Sequence, residues 1–392
     1  MYAETREHVP SVKTVRNVFG TDHRTDFFQI SREIRKQSGS QIDLPKTISD
    51  AAVLGGTFLT RGGIPINYDL YVMEGILILH ETDDTIGPAV MAFSKLEPDW
   101  EYISGLGIKK PRAEDRSTDA LTENIFVNLL RPEKDIPERI RTILEKVLQT
   151  QTATYEQRCR EFYAHELPAI KERVKHRCIV AIAKDELSVP INQVEFLLDN
   201  IAVNLFNTLY LGMAAGGCAR GGWNLETTSI NLTSSDEDLE TTFEHEFIHA
   251  LSRQVAQIIT APDGKKTVQP RRIGLEFEVN NENDTGIHNK YRWLNEAVVE
   301  LVRCTYLHPE AHSDIYEDEQ MLVNKLIEKT PALSLPFLRA ALFDGSEDGD
   351  GHIWHALEMA IVSTFGRNIL DEIDTLYATE NVSAALAFVE AL

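Results

Sequence analysis

The stretch TTFEHEFIHALSRQ, residues 241–254, sets His245 and His249 four positions apart, with Glu246 directly after the first histidine. On a helix, residues four apart stand one above the other, so both imidazoles point the same way and can grip one metal ion. Glu246 lies beside that pair, placed to take a proton from a water that the metal activates. Zinc suits the pair, because a catalytic zinc site takes three protein ligands and leaves a fourth position to water. The plain alternative is a buried helix that happens to carry two histidines. Leu239, Phe243, Phe247 and Leu251 recur every four residues, however, and such a stripe draws the histidines into an interior where polar rings need partners.

The elements that must position these residues follow from patterning. The acid-rich SSDEDLE before the motif suits a helix N-terminus electrostatically. Further upstream, CIVAIA (178–183) reads as a short buried strand and INQVEFLLDNIAVNLFNTLYL as a long helix. The Gly-rich GMAAGGCARGG reads as a loop, and WNLETTSINLTSS alternates like a strand with one wet face. Downstream come a strand-like RRIGLEFEV, a polar loop NNENDTGIHNK, a helix RWLNEAVVELVRCTYL and a mostly helical remainder to Leu392.

A third ligand must come from elsewhere, as a carboxylate or another histidine. The extension HExxHxxGxxH fails here, because the next histidine after His249 is His288. What does follow is WLNEAVVE, in which Glu296 and Glu300 share one helical face amid Trp293, Leu294, Ala297, Val298, Val299 and Leu301. In these two motifs the chain resembles the gluzincin metallopeptidases, the thermolysin-like clan and its small bacterial relatives. There HExxH is followed by a second helix bearing NExxx(D/E). The resemblance implies that Glu296 is the third zinc ligand and that Glu300 accepts the other ring proton of His245. It also implies a small sheet whose edge strand, here WNLETTSINLTS, pairs with an extended peptide substrate. Glu296 lies 47 positions after His249, more than in the compact thermolysin arrangement, and the intervening APDGKKTVQPRRIGLEFEVNNENDTGIHNK has room for a hairpin or flap.

A donor to the developing oxyanion is usually Tyr, His or Arg in that clan. The candidates are Tyr316 and His355, with Tyr291, Tyr306 and His352 behind them. Gluzincin aminopeptidases carry a GxMEN-type stretch before HExxH, whereas LGMAAGG here has Ala214 and Ala215 in place of its Glu and Asn. That departure argues against an aminopeptidase and for internal cleavage. The rival reading is a zinc-stabilised peptide-binding or regulatory protein that does not cut; the intact Glu246 weighs against it. Other motifs are decoys. HELPA at His165 lacks a second histidine, and DGSEDGDGHIWH starts like a calcium loop but has His355 where the closing Glu belongs. GKKT lacks the upstream glycine of a phosphate loop.

The chain has 392 residues, with 61 acidic against 39 basic side chains and a formal charge of −22. A surface of that sign repels polyanions, so nucleic acid is not an expected partner; a peptide or protein substrate is. Neither a signal peptide nor a bilayer-spanning run is evident, so the expected location is cytoplasmic with no membrane partner. Cys159, Cys178, Cys218 and Cys304 form no CxxC pair and read as reduced thiols. The expected fold class is α+β in three parts. Residues 1–112 read as a mixed α/β unit, with TDFFQISREIRKQ helical and AVLGGTFLTRGGIPINYDLYVMEGILILHETDD rich in strands. Residues 113–176 read as a helical connector, and 177–392 as the zincin-type domain to which the resemblance extends.

Overall fold

The computed structural model describes residues 12–17, 24–38, 57–59, 65–73, 76–81, 90–93, 153, 155–206, 221–233, 238–261, 264, 266–280, 287–310, 316–344, 352–379 and 381–392. Helices and strands are mixed, in keeping with an α+β chain. The described elements begin with β1 (Val12–Asn17) and α1 (Arg24–Ser38). A meander of β2 (Thr57–Leu59), β3 (Pro65–Met73), β4 (Ile76–Glu81) and β5 (Val90–Phe93) follows, paired antiparallel in that order. The connector segment from residue 113 to 152 and the loop GMAAGGCARGG, apart from its last two residues, lie outside the described residues.

Helix α2 (Leu167–Ala183) continues a π-helical turn, Phe162–Glu166. It contains CIVAIA, so the strand expected there is corrected. Ile170, Val174, Cys178 and Ala181 are all buried at spacings of four, four and three, one unbroken helical phase that outweighs the β-branched look of the segment. The long helix expected over 191–211 is also corrected. It stops as α3 (Ile191–Asn200), where Ile201 turns extended at ψ 130°, and β6 (Ala202–Phe206) begins. In β6, Val203 and Leu205 are buried while Ala202 and Asn204 are half-exposed, a period of two.

WNLETTSINLTSS is a hairpin of two strands, β7 (Gly221–Asn224) and β8 (Ser229–Thr233). The sheet order is β6-β8-β7, with β6 parallel to β8 and β7 antiparallel to it. The edge next to the motif helix is therefore β7, and the strand directly before that helix is central, a correction to the single edge strand expected. The motif helix, α4 (Leu239–Leu251), packs on β7 and β8.

After α4 the chain builds a second antiparallel sheet from β9 (Gln254–Thr260), β10 (Lys266–Ile273), β11 (Glu276–Asn280) and β12 (Ile287–Lys290). Its order is β1-β9-β10-β11-β12, so the N-terminal segment supplies its outer strand, Val12 facing Thr260 through Asn17 facing Val255. The long spacer between His249 and Glu296 is thus strand meander. Helices α5 (Arg292–Val302), α6 (Glu317–Lys329), α7 (Leu335–Leu342), α8 (His352–Phe365), α9 (Leu370–Thr379) and α10 (Val382–Ala391) complete the chain. Helix α5 packs against α4, α6 and α7, around a core that includes Trp293, Phe243 and Phe247. No described helix is long and apolar enough to cross a membrane, and Cys159, Cys178 and Cys304 form no disulfide among the described residues.

Candidate metal centre

Helix α4 starts at Asp238, whose side chain accepts the Thr241 N–H at 3.0 Å and satisfies one of the helix's unpaired donors. Leu239, Phe243, Phe247 and Leu251 are all buried, and the Phe243 and Phe247 rings stack 5.9 Å apart. The opposite face is covered as well, which leaves His245 and His249 only 4% and 5% exposed. Helix α5 starts from Tyr291 in the left-handed region (φ 63°) and is tied down by the Tyr291 N–H to Asp374 and the Tyr291 O–H to Asp371, both at 2.7 Å.

These two helices bring three donors to one point. His245 Nε2, His249 Nε2 and Glu296 Oε2 are each 3.1 Å from the other two. Three metal-ligating atoms of the right chemical types, all within bonding reach of one central point, form a group that could hold a metal ion. Glu300 Oε2 accepts from His245 Nδ1 at 2.9 Å, which sets Nδ1 as the donor and points Nε2 toward His249 and Glu296. Asn295, in the position before Glu296, lays its amide 3.2 Å from His249 Nδ1 and takes the Leu275 N–H at 2.9 Å.

Electrostatics follow from burial against pairing. Burial pushes Glu296 up, but the charge of His249 and hydrogen bonds from both histidines hold it well below the usual carboxylate range. Glu300 is likewise pushed up by burial and drawn down further by His245 and Arg303. Burial disfavours a charged His245, yet its bonds to Glu296 and Glu300 raise its pKa to about 10. Glu246 sits beside the cluster at 9% exposure, raised by burial against the pull of the two histidines, and accepts a backbone hydrogen bond from Trp223 on the edge strand β7.

Of the two further candidates, the structure brings one to the site. Tyr316 stacks on His245 with ring centroids 5.5 Å apart and hydrogen-bonds Glu296; burial and the surrounding carboxylates push its hydroxyl pKa up. His355 is not part of the cluster: its side chain is 74% exposed on α8, beside Glu358. Tyr306 lies under Arg339, Tyr291 serves Asp371, and His352 is exposed at the start of α8. Sequence reasoning passed over Arg303, whose guanidinium donates to both oxygens of Glu300, and Gly221, which lies against Glu246. Arg303 could have been noticed as the cation one helical turn after Glu300.

Comparison with protein-family models, with curated proteins and with solved structures gave no match to the chain.

Proposed function

We propose that the chain is a zinc-dependent peptidase of gluzincin type that hydrolyses peptide bonds within a chain. The observation that carries this reading is the triangle of His245, His249 and Glu296 donors, 3.1 Å on each side, with Glu246 beside it. Zinc bonds of about 2.0–2.2 Å in a tetrahedral arrangement put donors about 3.3–3.6 Å apart, within a few tenths of an ångström of that triangle. Two imidazoles and one carboxylate are also the ligand set of a zinc site that keeps a position open. When bound, the ion supplies Lewis acidity, polarising a carbonyl and lowering the pKa of water to near 7.

The chain's own residues supply the rest. Glu246, kept basic by its histidine neighbours yet raised by burial, takes a proton from the attacking water and hands it to the leaving amine. The Tyr316 hydroxyl, whose raised pKa keeps its proton in place, donates to the oxygen on which charge develops. Edge strand β7 offers an extended peptide a backbone to pair with, next to the residue that fixes Glu246. Ala214 and Ala215, where an aminopeptidase would grip the substrate amine, support internal cleavage.

The test compares Glu246→Gln with His249→Ala, reading zinc content and cleavage of an unbiased peptide library. Glu246→Gln should keep zinc and lose cleavage by several orders of magnitude, whereas His249→Ala should lose both. Retained turnover in Glu246→Gln would sink the mechanism. A wild-type protein that holds zinc and binds peptides uncut would replace it with a binding role.

A further inference from the structure

We propose that Arg303 is a positioning residue for the metal centre, acting through Glu300 on His245, and that Glu244 and Arg177 anchor it from the opposite side. The inference rests on the metal reading above and extends it to residues that touch no ligand position.

The side chains of Arg303, Glu300 and Glu244 are all fully buried. Arg303 donates from Nε to Glu300 Oε2 at 3.0 Å and from Nη2 to Glu300 Oε1 at 2.7 Å, a two-pronged grip that sets the plane of the carboxylate. Glu300 Oε2 is also the oxygen that accepts from His245 Nδ1, so the plane set by arginine decides where the imidazole finds its acceptor. Without the two-pronged grip, the carboxylate of Glu300 would be free to rotate, and the oxygen that accepts from His245 Nδ1 would lose its fixed place.

The other side of the guanidinium faces a second buried carboxylate. Arg303 Nη1 has no hydrogen-bond partner among the described residues, and it faces Glu244 Oε2 at 3.8 Å, an oxygen that also lacks one. Glu244 Oε1 in turn accepts from Arg177 Nε on α2 at 2.9 Å, and Arg177 also grips Glu240 one turn earlier on α4. The sequence His245, Glu300, Arg303, Glu244, Arg177, Glu240 alternates acid and base from the centre toward the surface. Glu244 directly precedes His245, so the clamp ties the helix of the two histidines to the helix of Glu296. Backbone geometry supports a specific role. Glu300 and Arg303 share a helix face three residues apart, and a π-helical turn, Arg303–Leu307, closes immediately after with the His308 N–H on the Arg303 carbonyl at 2.8 Å.

Zinc affinity, measured with the metal alone against a chromophoric chelator, separates positioning from support of the fold. The proteins are wild type, Arg303→Met, Arg303→Lys, Glu300→Gln and the double variant Arg303→Lys/Glu300→Gln, each checked for native circular dichroism. Arg303→Met should weaken zinc binding about 10–100-fold, the usual effect of removing an outer partner of a ligand, and Arg303→Lys should recover part of it. In the Glu300→Gln background, Arg303→Lys should cost nothing further. Should Arg303→Met not fold, the lysine variants still complete the comparison. Wild-type affinity in Arg303→Lys, or an equal loss in both backgrounds, overturns the inference alone. A wild-type protein that takes up no zinc overturns the metal reading and this inference with it.

Discussion

Tyr316 reaches His245 from a backbone conformation that a side chain resists. Its φ of 58° lies in the left-handed region, which costs a non-glycine residue about 1 kcal/mol or more. The strained residue is the N-cap of α6 and stacks on His245, so packing around it must hold what the backbone disfavours. Its ring and its hydroxyl can be separated by experiment. Tyr316→Phe keeps the stack on His245 and removes the O–H that hydrogen-bonds Glu296. Zinc affinity should stay near wild type while kcat falls about 100-fold, the scale of losing one oxyanion donor. Unchanged kcat would reduce Tyr316 to a packing residue.

At the scale of elements, the edge strand and the motif helix are fitted to each other without room for a methyl group. A Cβ on Gly221 would lie 2.5 Å from Thr242 Cγ2 and 3.3 Å from Glu246 Cγ, whereas one on Gly222 would meet nothing within 4 Å. Thr242 is β-branched and buried on a packed helix, so β7 would have to lift away, and Trp223 with it. Gly221→Ala should therefore lower stability by about 1–3 kcal/mol in denaturant titration and depress turnover with zinc retained, while Gly222→Ala stays neutral on both. Equal behaviour of the two variants would show that the fit does not constrain Glu246. This contact was invisible in sequence, where Gly221 reads as part of a Gly-rich loop. Legible elements were those with a local signature: α4 with its acidic cap and four-residue stripe, α5 with its acid pair, and strands within 57–93. Errors arose where local and non-local signals conflict. CIVAIA has strand-like residues but continues the helical phase of Ile170 and Val174, and the turn in β7–β8 lacks glycine and proline. It is shaped by Asn224 Oδ1 accepting the Thr227 N–H at 2.9 Å, with Thr228 at φ 45°. Pairing of β1 with β9 leaves no local trace at all, and Arg303 has a meaning only once α2, α4 and α5 meet.

For the whole molecule, the three proposed ligands join parts of the chain that lie far apart in sequence. His249 and Glu296 are 47 residues apart, with the strands β9 to β12 between them. An ion bound only when α4 and α5 are docked stabilises that docking by mass action, about 2.7 kcal/mol at a free concentration 100 times Kd. For a folding unit of a couple of hundred residues this corresponds to a Tm rise of about 5–10 °C over chelator-treated protein. Glu246→Gln should show the same rise, because that residue is not a ligand, and His249→Ala should show little. The pH dependence has a definite sign. In the metal-free protein the pKa of His245 is raised to about 10, so at neutral pH its ring carries a second proton, on Nε2, which the proposed zinc ion would have to displace. Proton competition weakens as pH rises, and the zinc-dependent rise in Tm should be larger at pH 8 than at pH 6 at one zinc concentration. Calorimetry of the three proteins with and without chelator checks both statements. A His249→Ala protein that gains as much from zinc as wild type would place the stabilising ion elsewhere in the molecule.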